Sequence, residues 1–136
     1  MPQFSPTSRK RLETCDVRLQ SILNEVIRHI DVVVLEGNRG KEAQDEAYRT
    51  GKSKLPWPQG KHNRLPSLAV DIAPYFIDAP EKIDWKDVPA FGRLMGYVER
   101  VAYEQGIPLR FGLDWNRNGR TRDETFLDAP HVEIVT

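Results

Sequence analysis

The chain of 136 residues has one cysteine, no excess of charge of either sign and no long apolar run. The single thiol, Cys15, excludes an internal disulfide framework and any zinc site built from several cysteines, and it is compatible with a reducing compartment. The 20 basic and 20 acidic residues cancel. A nucleic-acid partner or an anionic membrane surface is therefore not expected, and a small or zwitterionic substrate fits the charge balance better.

No stretch approaches the roughly 20 apolar residues of a membrane span, so we expect no stable membrane association. The N-terminal segment 1–14 is polar and lacks the apolar core of a signal peptide, which favours synthesis in the cytoplasm. A chain of this length fits one domain, because domains near this size bury about 68% of their unfolded surface. We therefore expect residues 1–136 to form a single domain.

Hydrophobic periodicity divides the chain into helices and strands. Apolar residues three and four positions apart predict helices, and β-branched or alternating runs predict strands. The predicted helices are 8–30, with a break near 14–16, then 41–50 and 88–105. The predicted strands are 31–37, 68–73, 109–112 and 131–136. This order predicts an α+β domain with a small, mainly antiparallel sheet and helices packed on it. In the helix over 41–50, we expect Ala43, Ala47 and Tyr48 to face inward.

Two histidines and two aspartates suggest a metal site. His62, Asp71 and His131 supply two imidazoles and one carboxylate, a set that suits zinc and leaves one tetrahedral position free for water. Asp71 lies in an apolar strand, where a carboxylate is costly to bury unless it is paired or bound to a metal. Asp128, three residues before His131, is placed to act as a base. The pattern favours catalytic zinc.

The residues alone leave a simpler interpretation open. His62 and His131 are far apart in the sequence and lack a helical zinc signature such as His-Glu-x-x-His. Both side chains would then be ordinary hydrogen-bonded histidines.

A second ion site is suggested by the polar segment 114–124. Asp114, Asn116 and Asn118 occupy positions one, three and five of an EF-hand-like loop, with glycine at position six. The bidentate glutamate expected at position twelve is absent, so Asp123 or its neighbour would have to replace it. We predict calcium as a second, regulatory ion, with a surface turn rich in Asp and Asn as the alternative.

The chain resembles a family of zinc peptidases that contains D-alanyl-D-alanine carboxypeptidases and L-alanyl-D-glutamate endopeptidases, with the compact phage endolysins most similar. The family's two zinc motifs, its Gly-x-Asp-Trp motif and its Gly-x-Arg turn with a downstream glutamine appear here in the family's order. They correspond to Gly60-Lys61-His62 with Ser67-Leu68-Ala69-Val70-Asp71, Asp128-Ala129-Pro130-His131-Val132-Glu133, Gly112-Leu113-Asp114-Trp115, and Gly37-Asn38-Arg39 with Gln44. The resemblance implies a hedgehog/DD-peptidase-like fold.

The resemblance also implies roles for these residues. His62, Asp71 and His131 would bind zinc, and Asp128 would serve as general base and acid in hydrolysis of a peptidoglycan stem peptide. It implies cleavage between L-alanine and D-glutamate by an endolysin that lyses the host cell. A D-alanyl-D-alanine carboxypeptidase and a non-catalytic, zinc-bearing binding domain remain as alternatives.

Further expectations concern the substrate and the surroundings of the metal. Arg39 and Gln44 would contact the substrate, although a solvated turn arginine is equally compatible with the pattern. Trp115 and Glu133 would support the ligands, and a packing role for Trp115 stays open. Gly60 stands where many relatives have serine, which puts one substrate hydrogen bond in doubt.

The family relationship implies a setting as well. We expect a monomer that consists of the catalytic domain without a separate wall-binding domain. It would be made in the host cytoplasm and act on the cell wall after a partner permeabilises the membrane.

Overall fold

The protein is described by a computed structural model that covers residues 2–136. Its helices are α1 (Pro6–Leu12), α2 (Val17–Val26), α3 (Lys41–Arg49) and α4 (Val88–Gln105). Its strands are β1 (Val32–Glu36), β2 (Ala69–Pro74), β3 (Leu109–Phe111) and β4 (His131–Ile134). Single 3-10 turns occupy Lys61–Asn63 and Pro80–Lys82. All the predicted elements are present, and the first helical segment is divided where the break was expected.

The four strands form one open sheet in the order β1-β2-β4-β3, and every neighbouring pair is antiparallel. The predicted α+β class with a small antiparallel sheet is confirmed. The chain crosses between β2 and β4 by way of α4 and β3, so the strand near residue 70 and the C-terminal strand are neighbours. This order brings the two predicted zinc motifs together.

The core forms where the helices pack on one another and on the sheet. α2 packs against α4, α4 contacts β2 and β3, and α1 lies against β1. The largest side chains with almost no exposure include Phe91, Leu19, Ile22, Leu23, Ile72, Leu94 and Ile134. Burial of each such side chain contributes about 1.5–3 kcal/mol, so this core supports the sheet on which the polar site lies. In the described residues 2–136, no helix is both long and apolar enough to span a membrane.

The buried face of α3 differs from the prediction. Ala47 is buried as expected, but Ala43 and Tyr48 are exposed, and Gln44 is buried completely. Sequence periodicity assigned the inner positions to apolar residues. Gln44 can take a buried position because its side-chain amide is fully hydrogen-bonded. Its hydrogen-bond partners are part of the functional site described below.

Cys15 is a buried, unpaired thiol at the start of the second helical segment. Its side chain is 1% exposed, and burial raises the pKa of its thiol to about 12. A thiol with such a pKa is a poor nucleophile at neutral pH. Cys15 therefore acts as a small core residue.

Asp16 caps α2 and provides a test of local stability. Its side chain accepts a hydrogen bond from the backbone N–H of Arg18 at 2.9 Å. The hydrogen bond from the Arg18 side chain and, to a smaller extent, this backbone bond lower the pKa of Asp16. Asp16→Ala should lower the free energy of unfolding by about 1 kcal/mol at neutral pH.

The effect of the Asp16 charge should depend on pH in a defined direction. Because the pKa of Asp16 is lowered in the folded protein, its stabilisation is present above the unfolded value of 3.8 and is lost as the pH falls through the folded pKa. Asp16→Asn keeps a capping oxygen and should cost less than Asp16→Ala in urea unfolding. Equal losses for the two variants at neutral pH would contradict the capping role. A difference between the parent protein and Asp16→Asn that stays unchanged in strong acid would contradict the role of the charge.

Candidate metal centre

Strand pairing places two of the predicted ligands side by side. Asp71 on β2 lies directly opposite His131 on β4 in the antiparallel register. Opposed residues of paired strands project from the same face of a sheet. The Nδ1 atom of His131 consequently lies 3.4 Å from Oδ1 of Asp71.

His62 reaches the same carboxylate from the 3-10 turn before β2. Its Nε2 atom is 3.1 Å from Oδ1 of Asp71, and its side chain is buried. Two backbone hydrogen bonds hold the turn: the Arg39 N–H donates to the carbonyl of His62 at 2.7 Å, and the Leu68 N–H donates to that of Lys61 at 3.1 Å. The turn therefore fixes the imidazole against the edge of the sheet.

In each histidine, the hydrogen bond donated by one ring nitrogen determines that the other nitrogen is the one that can bind a metal. Nδ1 of His62 is 2.8 Å from the carbonyl oxygen of Gly37, which can only accept, so this nitrogen carries the proton and donates. Nε2 of His131 likewise donates to Oε1 of Glu133 at 2.8 Å. The remaining nitrogen of each ring faces Asp71. Hydrogen bonds of this kind orient ligating histidines in metalloproteins.

The three side chains form a compact donor set. One ligand atom from each of His62, Asp71 and His131 lies within 4.8 Å of the others, and no other such group of His, Cys, Asp or Glu occurs in residues 2–136. This agrees with the donor set predicted from the sequence. The site is consistent with a metal ion.

The electrostatics of the centre are those of a cation site. Burial opposes the charge on Asp71, yet hydrogen bonds from His131 and His62 hold the pKa of its carboxyl well below its usual range. Burial also opposes charge on His131, but bonds to Asp71 and Glu133 raise its pKa to about 9. The carboxylates thus favour positive charge between the rings, and a bound cation would replace the proton there.

Glu133 is itself embedded in positive charge. Its Oε2 atom lies 2.8 Å from Nη2 of Arg110 and 3.3 Å from Nζ of Lys61. Although burial opposes ionisation, hydrogen bonding to His131 and the charges of His131 and Arg110 lower the pKa of Glu133 to about 2. Glu133 is therefore a fixed anion behind the His131 ring.

Arg110 and Lys61 were missed by sequence reasoning. In the antiparallel register of β3 and β4, Arg110 is the partner of Glu133. The strands themselves were predicted, and alternation within them places Arg110 between two buried residues. The pairing of β3 with β4 was the signal that would have identified this ion pair.

Asp128 lies beside the donor set on the loop that precedes β4. Its N–H donates to the carbonyl of Gly112 at 2.9 Å, and its own carbonyl accepts from the N–H of His131 at 3.1 Å. A Cβ atom on Gly112 would come within 2.0 Å of the Asp128 carbonyl oxygen. Only glycine permits this approach, so Gly112 of the Gly-x-Asp-Trp motif sets the position of the Asp128 backbone.

Opposing effects act on the pKa of Asp128, and the net shift is upward. Burial raises the pKa of its carboxyl, and the negative charge of Asp71 adds to this effect. The positive charges of His131, His62 and Arg39 act in the opposite direction. A carboxylate with a raised pKa is a stronger base than an exposed aspartate, which suits a group that accepts and returns a proton beside a metal site.

Arg39 and Gln44 are joined to the centre from the other side. Nη2 of Arg39 lies 3.7 Å from Oδ2 of Asp71, and Nε contacts Glu36. Nη1 of Arg39 donates to Oε1 of Gln44 at 3.0 Å. Gln44 has 0% exposure, so its position favours a role in orienting Arg39 over direct contact with a substrate.

Gly37 makes this arrangement possible at the end of β1. A Cβ atom there would lie 2.3 Å from Oγ1 of Thr14 and 2.5 Å from the carbonyl oxygen of Arg11. The close approach to the end of α1 positions the Gly37 carbonyl that accepts from His62. The glycine of the Gly-x-Arg turn thus serves the metal centre as well as the arginine.

Comparison with known proteins identifies the family. A family model described as phage L-alanyl-D-glutamate peptidase matches residues 1–135. The chain belongs to the phage L-alanyl-D-glutamate peptidase family. The L-alanyl-D-glutamate peptidase of Escherichia phage T5 is 33% identical over 138 residues, with 98% of each chain covered.

The chain is also similar to one bacterial relative and to one bacterial protein of known structure. The peptidoglycan L-alanyl-D-glutamate endopeptidase CwlK of Bacillus subtilis (strain 168) is 32% identical over 116 residues, which cover 78% of this chain and 62% of the relative. The crystal structure of the Serratia marcescens L-Ala D-Glu endopeptidase ChiX superposes with a TM-score of 0.75 at 22% identity, covering 99% of this chain and 90% of that one. This last similarity shows the fold.

Trp115 packs on the metal centre of the peptidase. Its ring centroid lies 5.1 Å from that of His131, and its Nε1–H donates to the carbonyl of Phe126 at 2.6 Å. Arg110 stacks on the ring at 5.7 Å. Trp115 therefore packs against His131 and joins it to the long polar loop. Its supporting role stays a prediction.

A cleft of about 380 Å³ opens over the donor set. One wall comes from the segment after α3, and the opposite wall from Trp115 and Phe126. The floor holds His62, Asp128 and His131. An extended peptide would therefore meet the metal centre and the candidate base at the same point.

The structure also gathers the four predicted calcium ligands. Asp123 Oδ2 accepts from the side-chain amides of Asn118 at 2.5 Å and Asn116 at 3.3 Å. Asp114 accepts from the N–H groups of Gly119 at 2.6 Å and Asn118 at 3.2 Å. The loop is thus a compact turn rich in Asp and Asn. The carboxylate of Asp114 accepts hydrogen bonds from backbone N–H groups, and that of Asp123 accepts them from Asn side-chain amides. Calcium binding by this loop stays a prediction.

Proposed function

We propose that this protein is a zinc-dependent endopeptidase that hydrolyses the bond between L-alanine and D-glutamate in peptidoglycan stem peptides. The observation that carries the proposal is the convergence of His62, Asp71 and His131 beside Asp128 in one cleft. Family membership and the names of the relatives support the same bond.

Zinc is the ion that this donor set fits best. Two neutral imidazoles and one carboxylate form a frequent catalytic zinc set, and an absence of cysteine ligands disfavours softer metals. The hydrogen bonds of both rings to Gly37 and Glu133 leave one nitrogen of each available for the ion. When bound, zinc supplies Lewis-acid chemistry, polarising a carbonyl and lowering the pKa of water.

The chain's own residues carry the proton transfers. Asp128, with its raised pKa, accepts the proton of the attacking water and returns it to the nitrogen of D-glutamate as the peptide bond breaks. Glu133 keeps the His131 ring in one orientation throughout. Trp115 and Phe126 shield one side of the cleft from bulk water, which strengthens the electrostatic interactions within it.

Arg39 would hold the α-carboxylate of D-glutamate, the charge next to the scissile bond. Its guanidinium lines the cleft and is oriented by Gln44. A planar guanidinium matches a carboxylate with two parallel hydrogen bonds. This places the substrate nitrogen on the side of Asp128.

Arg39→Lys should therefore reduce kcat/KM on a stem peptide by about 10- to 100-fold, since lysine keeps the charge but loses the paired bonds. Steady-state hydrolysis of a stem peptide whose D-glutamate α-carboxylate is free measures this loss. A peptide with that carboxylate amidated is the control, and on it the two proteins should differ much less. An equal loss on both peptides would mean that Arg39 acts only by supporting Asp71.

Hydrolysis of a soluble stem peptide tests the proposed function. The zinc-loaded protein should release L-alanine-terminated and D-glutamate-initiated fragments, identified by mass spectrometry. Release of terminal D-alanine instead would assign a carboxypeptidase. No cleavage, with zinc demonstrably bound, would favour a zinc-bearing binding domain.

We also propose that calcium binds the 114–124 loop and orders the strand that carries His131. The predicted ligands are Asp114, Asn116, Asn118 and Asp123, which already lie within hydrogen-bonding distance of one another or of the same loop. Calcium would displace the N–H groups that those oxygens now accept. The rings of Trp115 and His131 would transmit the change.

Titration with calcium should raise endopeptidase activity several-fold and change the tryptophan fluorescence at the same concentrations. Asp114→Ala should remove both responses, because it deletes the first ligand. Asp84→Ala, an exposed aspartate outside the loop, is the matched control and should respond as the parent protein does. An unchanged titration in the parent protein would remove calcium from the account.

The setting follows from the same proposal. The protein acts on the cell wall as a monomeric catalytic domain, without a stable membrane or nucleic-acid partner. Sedimentation at working concentrations should give the mass of one chain, 15.7 kDa.

A further inference from the structure

The cleft carries an excess of positive charge that the chain as a whole does not have. Basic and acidic residues are equal in number in the sequence. Among the residues that line the cleft, the cations outnumber the carboxylates. The cations are Arg39, Lys52, Lys54, Lys61 and Arg110, and the carboxylates are Asp128 and Glu133.

Three of the five cations already form ion pairs within the site. Arg39 pairs with Glu36 and approaches Asp71, whereas Lys61 and Arg110 share Glu133. These contacts explain the cations on the floor of the cleft, and they leave the two lysines on its wall to be explained.

Lys52 and Lys54 are exposed, and neither forms an ion pair with any residue in the part of the chain described, 2–136. The ammonium of Lys54 lies 5.0 Å from the ring centroid of Phe126 on the opposite wall. That contact extends Lys54 across the cleft. Two lysines with uncompensated charge therefore border the space in which a substrate must lie.

Gln44 connects this wall to the arginine that is proposed to bind D-glutamate. Its Oε1 accepts from Arg39 at 3.0 Å, and its Nε2 donates to Oγ of Ser53 at 3.0 Å and to the carbonyl of Leu55. Its amide is buried completely. The segment that carries Lys52 and Lys54 is therefore held by the same buried amide that orients Arg39.

We propose that Lys52 and Lys54 form a second carboxylate subsite, which binds the stem peptide on the D-glutamate side of the scissile bond. The inference rests on the proposed function and names the class of stem that the site prefers. Such a substrate carries a free carboxylate beyond D-glutamate, in addition to the one held by Arg39.

The chemistry of stem peptides makes this a choice between wall types. The residue after D-glutamate is commonly either lysine, whose side chain ends in an ammonium, or diaminopimelate, whose side chain also bears a carboxylate. Lys52 and Lys54 attract that carboxylate, and they repel a lone ammonium. The peptidase should therefore prefer stems that contain diaminopimelate.

The carboxylate at the end of the peptide chain offers the same chemistry. Four soluble stems distinguish the two sources: diaminopimelate or lysine after D-glutamate, each with its C-terminus free or amidated. In the wild-type protein, kcat/KM should be about fivefold to tenfold higher for a stem that keeps the carboxylate bound by Lys52 and Lys54 than for the matching stem that lacks it. If lysine in place of diaminopimelate lowers kcat/KM, the bound carboxylate is the one on the diaminopimelate side chain. If amidation of the C-terminus lowers it, the bound carboxylate is the C-terminal one.

The ratio of kcat/KM for the stem with this carboxylate to kcat/KM for the stem without it should fall close to one in the Lys52→Gln/Lys54→Gln variant. In Lys52→Glu it should fall to one or below. Lys86→Gln, which removes an exposed lysine outside the cleft, should keep the wild-type ratio. The wild-type preference should also shrink at high salt, since these charges are exposed.

Two results would overturn the subsite. One is equal kcat/KM for all four stems in the wild-type protein, and the other is a ratio that the double variant leaves unchanged, even if overall activity falls. In both cases hydrolysis itself continues, so the proposed function stands. Cleavage of none of the four stems would instead overturn the proposed function and, with it, the subsite.

Discussion

Asp128→Asn is expected to lower kcat for stem-peptide hydrolysis by about 10²- to 10⁴-fold, the range that a positioned general base contributes. Asparagine keeps the size of the side chain but cannot take a proton from water or return one to the leaving nitrogen. Burial and the nearby Asp71 raise the pKa of Asp128, which makes its carboxylate a stronger base than an exposed aspartate.

The test needs a measurement of metal content, because Asp128 lies beside the ligands without belonging to the donor set. Zinc per chain should be the same in the variant and the parent protein. Asp78→Asn, which changes an exposed aspartate, is the matched control and should keep full activity. A variant that loses its zinc, or one that remains active, would contradict the assignment of Asp128 as the base.

Removal of the metal is expected to abolish hydrolysis, with a loss of at least about 10³-fold, since Lewis-acid stabilisation is worth several kcal/mol of transition-state energy. Activity of the chelated protein should return with zinc in proportion to the metal bound. His131→Ala should give the same loss and should not recover, because it deletes one of the three donors.

The chain contains its own control for this prediction. His29 is the third histidine; it is exposed and pairs with Glu25 at 3.1 Å, outside the cleft. His29→Ala should bind zinc and hydrolyse peptides as the parent protein does. Full activity after chelation, or an equal loss in the two histidine variants, would exclude a metal-dependent mechanism through His62, Asp71 and His131.

Much of the site could be predicted from the sequence because its residues occur in short local patterns. Asp71 stands out as a charge within an apolar strand, and Asp128 lies three residues from His131. In the last strand, Val132 and Ile134 alternate with His131 and Glu133, which predicts one face for the two polar residues, and their hydrogen bond at 2.8 Å agrees with that prediction. Each of these signals needs only a few neighbouring residues.

Other features depend on contacts between distant segments, which the sequence does not specify. The opposition of Asp71 and His131 requires β2 and β4 to be neighbours, although α4 and β3 lie between them in the chain. The buried amide of Gln44 was missed for the same reason, since its partners come from Arg39 and the segment 53–63. Periodicity assigned the inner face of α3 to Ala43, Ala47 and Tyr48 instead, and only Ala47 is buried.

The charge of the cleft is a third feature that only the fold reveals. The sequence is neutral overall, and this favoured a substrate without large net charge. Folding separates the charges unevenly, so that Lys52 and Lys54 border the cleft while many acidic residues lie elsewhere. Net charge describes a whole surface and does not predict the potential at one site.

Digestion of purified peptidoglycan, followed by labelling of the new amino ends and mass spectrometry, tests the central claim most directly. The zinc-loaded protein should release fragments that begin with D-glutamate, and Asp128→Asn should release none above the background. New ends at any other residue, or the same fragments from both proteins, would contradict a zinc endopeptidase in which Asp128 is the base.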